Sequence, residues 1–119
     1  MRDFRELKVW RKAHALTLQI CKITKDFPSD ERYGLTAQLR RSSASVPTNI
    51  AEGCGRNGER ELARFMSIAA GSASEVEYQV LLARDLDYMQ DETYRELNQQ
   101  VNEIKRMLNS FIQKLTANS

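Results

Sequence analysis

The chain has 119 residues, of which 41% are apolar and 29% charged. That suffices for one globular domain with its own core and excludes a disordered chain. Two prolines and five glycines leave too few turn residues for a many-stranded β fold.

The net charge of +2 conceals an asymmetry. Residues 1–56 hold eleven Lys and Arg against six Asp and Glu, a balance of +5; residues 57–119 hold seven against ten, a balance of −3. Such a division suits self-association, an anionic partner, or both. No apolar run reaches membrane-spanning length, and the start MRDFRELKVWRK is too charged for a signal peptide. Cys21 and Cys54 lack metal-type spacing and read as reduced thiols of a cytoplasmic protein.

In chain order, Asp3 with Glu6 resembles a capping box, placing the start of the first helix there or a turn later. Trp10, Ala13, Thr17, Ile20, Thr24 and Phe27 form its inward stripe, widened by Val9, Leu16 and Ile23. Arg5, Lys8, Arg11, Lys12, Lys22 and Lys25 fall on the opposite side, as a solubilising surface or an anion-binding face. His14 sits at the stripe's edge as a packing or hydrogen-bonding residue, and Pro28 ends the helix.

The second helix begins at Leu35 and is the most informative stretch. Leu35, Leu39, Ser43, Val46 and Ile50 share one face; Gln38, Arg41, Ser45, Asn49 and Glu52 share its neighbour. Amides, a hydroxyl and one charge of each sign can satisfy one another when half-buried, so Gln38, Arg41, Asn49 and Glu52, with Glu75 of the next helix, read as a structural polar network. Pro47 removes a backbone donor from this helix. The apolar phase runs through it, which predicts one continuous, kinked helix with Ser42, Ser43 or Ser45 covering the freed carbonyl. Gly53, Gly55 and Gly58 stop it.

The third helix runs from about Glu59 to Leu86, with Leu62, Phe65, Met66, Ala69, Ala73, Val76, Val80, Ala83 and Leu86 inward. Its small centre, Ala69 to Ser74, marks the tightest crossing, where Glu75 or Glu77 can meet Arg41. Residues 86–91 form a turn. In the fourth helix Tyr94, Leu97, Val101, Ile104, Leu108, Phe111 and Leu115 alternate by three and four, a heptad seam. Four amphipathic helices on short connections predict an all-α, up-down-up-down four-helix bundle, a single domain over residues 1–119.

Motifs for catalysis are sparse. Gly53-Cys54-Gly55-Arg56-Asn57-Gly58 matches G-x-G-x-x-G, but a helix precedes it where the dinucleotide fingerprint needs a strand. Its weaker form, glycine-rich backbone leading into a helix beside Arg56, Arg60 and Arg64, suits a phosphate. One histidine cannot build a di-iron bundle site. Glu52, Glu75 and Glu77 as paired acid–base carboxylates compete with the simpler structural network. The reading is of a protein that is no enzyme and needs no metal or cofactor. Arg40, Arg56, Arg60, Arg64, Lys8, Arg11 and Lys12 are the candidate nucleic-acid contacts, led by backbone phosphates because the aromatic residues are in core phase.

Three segments carry a resemblance: Phe4 to Ala13 (FRELKVWRKA), Tyr33 to Arg41 (YGLTAQLRR) and Ser45 to Gly53 (SVPTNIAEG), extended by Gly71-Ser72 with Glu75 and by Ile104 to Leu108. The chain resembles the bacterial four-helix bundle proteins encoded in 23S rRNA intervening sequences, a family also labelled ribosomal-protein-like. The resemblance implies a homopentameric ring. It also implies likeness to the accessory variability protein of diversity-generating retroelements, which binds nucleic acid and a reverse transcriptase through a basic surface. Two functions follow: an oligomeric bundle that binds RNA or DNA backbone, or a protein-interaction scaffold without direct nucleic-acid binding.

Overall fold

The computed structural model describes residues 2–117. Four helices make up the molecule: α1 (Lys8–Ile23), α2 (Leu35–Cys54), α3 (Glu59–Asp85) and α4 (Asp91–Thr116). α1 packs on α2 and α4, and α3 packs on the same two from the other side, so the helices stand in a square, each beside its neighbours in the chain. The bundle measures 46 × 22 × 20 Å. Most of that length is α3 or α4, since about 26 residues at 1.5 Å each span roughly 39 Å, and the end connections supply the rest.

The inward stripes form one core. Leu16 and Ile20 of α1, Leu39, Val46 and Ile50 of α2, Met66, Val76 and Val80 of α3, and Leu97, Ile104 and Leu108 of α4 are buried together. In α4 the expected seam is buried at Leu97, Val101, Ile104, Leu108 and Leu115, with Tyr94 and Phe111 half-buried.

Asp3 does cap a turn, its carboxylate accepting from the Arg5 N–H at 3.0 Å, but that turn is a short 3-10 helix, Phe4–Glu6. Leu7 is extended, and α1 starts only at Lys8. The break lets Phe4 fold back onto Trp10, ring centroids 4.8 Å apart, and Trp10 in turn stacks on His14 at 4.9 Å.

α2 passes through Pro47 without interruption. A proline has no N–H for the carbonyl four residues back, here that of Ser43. The cover expected from neighbouring serines comes from another helix. The Thr17 hydroxyl of α1 donates to Ser43 O at 2.9 Å, while Ser42 and Ser43 bond to Leu39 O and Arg40 O. The loss of a local bond is thus repaired by a tertiary one, and it pins α1 against α2.

The α2–α3 contact is polar at its centre. Ser42 donates to Gln79 Oε1 at 2.5 Å, Ser45 and Ser72 share a bond of 2.8 Å, and Asn49 donates to Ser45 O and Oγ at 2.8 and 3.0 Å. The expected network is therefore corrected in part: across the helices Ser42 meets Gln79 and Ser45 meets Ser72, while Asn49 bonds back to Ser45 of its own helix and the expected Arg41–Glu75 meeting is present. Gln38 is exposed, Glu52 turns to Arg56 at 3.9 Å, and Arg41 meets Glu75 at 3.9 Å on the surface. Glu77 pairs instead with Lys105 of α4 at 2.8 Å.

The α2–α3 contact is also close near the hairpin. A Cβ on Gly53 would stand 2.9 Å from Phe65 Cβ and 3.1 Å from Leu62 Cδ1, so only glycine fits there. In the small stretch of α3, Ala69, Ser72 and Ala73 are buried while Gly71 and Ser74 face outward. α3 ends with Asp87 at φ 64°, its N–H on Arg84 O and the Tyr88 N–H on Ala83 O, both at 2.9 Å. These are the two bonds of a Schellman ending, with aspartate in the place glycine usually takes.

Candidate functional site

Antiparallel packing sets the start of α1, the end of α2, the start of α3 and the end of α4 at one end of the bundle. The N-terminal segment crosses this end, tied down by the Arg2 N–H to Cys54 O at 3.0 Å. Extended Leu7 then turns the chain into α1. Between this segment and α4 opens a pocket of about 650 Å³. Leu7, Val9, Met107, Phe111 and Leu115 line it with apolar surface; Arg2, Lys8, Arg106 and Lys114 supply its cations, Ser110 a hydroxyl and Glu59 one carboxylate. The Arg2 guanidinium lies 5.4 Å from the centre of the Phe111 ring. A smaller pocket of about 230 Å³ shares Arg2 and Glu59 and adds Gly53, Cys54, Arg56, Gly58 and Leu62.

Four cations and one carboxylate line the pocket, which makes the lining electropositive, although Glu103 of α4 lies near enough to Lys8 and Arg106 to feel both. None of Arg2, Lys8, Arg106 and Lys114 has an ion-pair partner among the described residues, and all four are exposed. The start of α1 forms one wall and carries no side-chain cap, leaving first-turn N–H groups whose dipoles also favour an anion.

The expected cations divide. Lys8 and Arg56 arrive at this end; Arg11 lies one turn along α1 from Lys8, donating to Arg5 O at 3.0 Å. Lys12 is committed to Glu103 of α4 at 2.6 Å, which holds that carboxyl below its usual range. Arg64 is bound to Glu61 at 2.9 Å, lowering the Glu61 pKa and raising its own. Its guanidinium and that of Arg56 both roof the Phe65 ring, 4.5 and 5.1 Å from its centre. Arg60 is exposed without an ion pair among the described residues, but Glu59 and Glu61 flank it in sequence. Arg40 is turned inward toward the opposite end. It donates from Nε to Thr24 Oγ1 at 2.8 Å and from Nη2 to Cys21 O at 3.4 Å, holding the end of α1. The glycine loop with Arg56, Arg60 and Arg64 is thus balanced by Glu52, Glu59 and Glu61, whereas the cation excess sits next door.

Among the described residues no three His, Cys, Asp or Glu side chains gather as a metal site would. Cys54 is buried beneath Arg2, and burial pushes its thiol pKa up, away from the thiolate a nucleophile needs. Glu52, Glu75 and Glu77 each face a separate cation instead of one another.

The profile of the 23S rRNA-intervening sequence proteins matches residues 5–110. The chain belongs to that family. It is also similar to a crystal structure from Bacteroides thetaiotaomicron VPI-5482, a protein of unknown function from the S23 ribosomal protein family. That likeness has 25% identity and a TM-score of 0.82 over 88% of this chain and 95% of the other. No curated protein matches the chain.

Three cations of the pocket, Arg2, Arg106 and Lys114, were not anticipated as functional. The family segment FRELKVWRKA contains Lys8, but Arg106 and Lys114 lie in the acidic half and flank the core seam of α4. One signal was available: Lys105, Arg106 and Lys114 are the only cations in the last 24 residues, and two of the three share this end.

Proposed function

We propose that this protein is a non-enzymatic, oligomeric bundle of the cytoplasm that binds RNA or DNA through the sugar–phosphate backbone. The observation that supports the reading most is the gathering of Arg2, Lys8, Arg106 and Lys114 around a single carboxylate, with Arg56 and Arg11 alongside. Exposed cations of this kind release condensed counterions when they meet phosphates. Few aromatic faces are open for base stacking, so sequence preference is weak.

The test measures retention of single-stranded RNA by fluorescence anisotropy across a salt series. Replacing Lys8, Arg106 and Lys114 with Ala removes three phosphate contacts, which lowers the slope of log K against log salt by about 2. Unchanged affinity and slope reject this end as the contact.

A second reading is favoured by a separate observation. Leu18 of α1 and Ile68 and Tyr78 of α3 are exposed apolar side chains, and Gly71 stands between the last two on the outer face of α3. They support a protein-interaction scaffold, or the subunit contact of a homo-oligomer in the pentameric form that the family resemblance suggests. Light scattering that returns a monomer over a wide concentration range removes the oligomer from the proposal.

A further inference from the structure

Phosphate contacts account for the cations at this end of the bundle but not for what lies beneath them. A backbone-binding surface needs no apolar floor, yet Val9 and Leu115 are buried at the base of the pocket and Leu7, Met107 and Phe111 stand half-buried around it. The space of about 650 Å³ falls within the roughly 300–1,000 Å³ range of small-molecule sites.

We propose that this pocket binds one small organic anion: an acidic head carried on an alkyl or aromatic body. The two halves of the ligand follow from the two halves of the lining. The body displaces water from Leu7, Val9, Met107, Phe111 and Leu115, a stabilisation that grows with the apolar area covered. The head meets Lys8, Arg106 or Lys114 and the uncapped start of α1, where first-turn N–H groups donate to the anion. Arg2 serves both. Its backbone is held on Cys54 O, and its guanidinium already stacks over Phe111, so it covers the body while remaining within reach of the head. Polar recognition groups other than cations are few, Ser110 and Glu59, which suits an acid with an unfunctionalised body over a sugar or a polyol. Net positive charge around an apolar pocket also selects against cations and neutral oils of the same size.

Isothermal titration with octanoate tests the proposal, with acetate (head without body) and octanol (body without head) as controls. Octanoate binds, and both controls bind weaker by about tenfold or more, the scale of one charge-assisted hydrogen bond. Lys8→Ala with Arg106→Ala weakens octanoate by a similar factor and leaves octanol unchanged. Ser110→Trp fills the mouth from an exposed position and abolishes octanoate binding without removing a cation, so RNA retention keeps its salt slope. Met107→Trp, which fills the pocket from its half-buried wall, gives the same result if Ser110→Trp fails to fold. No octanoate binding to the native protein, equal binding of octanol, or undiminished binding to either folded tryptophan variant overturns the proposal. Those outcomes leave the nucleic-acid reading standing, because its cations are intact in the filled variants.

Discussion

Thr17→Val offers a direct test of how α2 survives its internal proline. The substitution keeps the shape of the side chain and removes the hydroxyl that donates to Ser43 O at 2.9 Å. That hydroxyl also lies 3.1 Å from Ala13 O, but Ala13 is in regular helix and has its own amide partner to rely on. Leaving a largely buried carbonyl without a donor costs about 1–3 kcal/mol. Ser43 is buried and Thr17 half-buried, so the lower half of that range applies, about 1.5 kcal/mol. For a chain of this length the melting temperature drops by roughly 4–6 °C at fixed protein concentration. The decisive arm is a double-mutant cycle with Pro47→Ala. Alanine restores the N–H that Ser43 O lacks, so in that background Thr17→Val costs little, and the coupling read from urea denaturation is about 1 kcal/mol or more. Packing lost with the proline ring cancels in the cycle. An equal cost for Thr17→Val in both backgrounds would refute the idea that α1 supplies the missing donor.

Other substitutions probe the turns and the outer face. Gly53→Ala drives a methyl to within 3 Å of Phe65 Cβ and should destabilise by about 1–3 kcal/mol, measured by chemical denaturation. Gly71→Ala adds a Cβ that meets nothing within 4 Å, so an open α3 face gains about 0.4–1 kcal/mol; a loss accompanied by dissociation in light scattering would instead place that face in a subunit contact. Glu31 receives the Leu35 N–H at 3.0 Å and the Tyr88 hydroxyl at 2.8 Å, in that order of importance, and both hold its pKa below the ordinary value near 4.5. Because the folded-state value is the lower one, the carboxylate stabilises the fold above about pH 4.5 and loses that contribution as pH falls through the folded value. The melting-temperature gap between the native protein and Glu31→Gln should therefore be open at neutral pH and close in acid; a gap of constant size contradicts the assignment.

Most of the fold was legible because burial imposes its period on the chain. The three-and-four alternation from Tyr94 to Leu115 and the stripe from Leu35 to Ile50 state which face is inward before any neighbour is known. The continuity of α2 through Pro47 could be read the same way, from an apolar phase that does not slip. The boundary at Leu7 was less legible, since Asp3 and Glu6 satisfy a capping pattern that a 3-10 turn satisfies equally well. The polar contacts between helices were legible only in part. Gln79, between Val76 and Val80, was not read as buried, and nothing local identifies Ser42 as its partner.

Sequence by itself determined four amphipathic helices, their inward faces and the family, because periodicity and capping are properties of neighbouring residues. Tertiary structure alone decided which cations are available. Arg40 and Lys12 look as free in the sequence as Lys8, yet one is drawn inward onto Thr24 and Cys21 and the other onto Glu103. Arg106 and Lys114 belong to the acidic half, yet the antiparallel return of α4 sets them beside Arg2 and Lys8 over an apolar floor. Charge acts through distance in space, and the bundle, not the order of residues, fixes that distance.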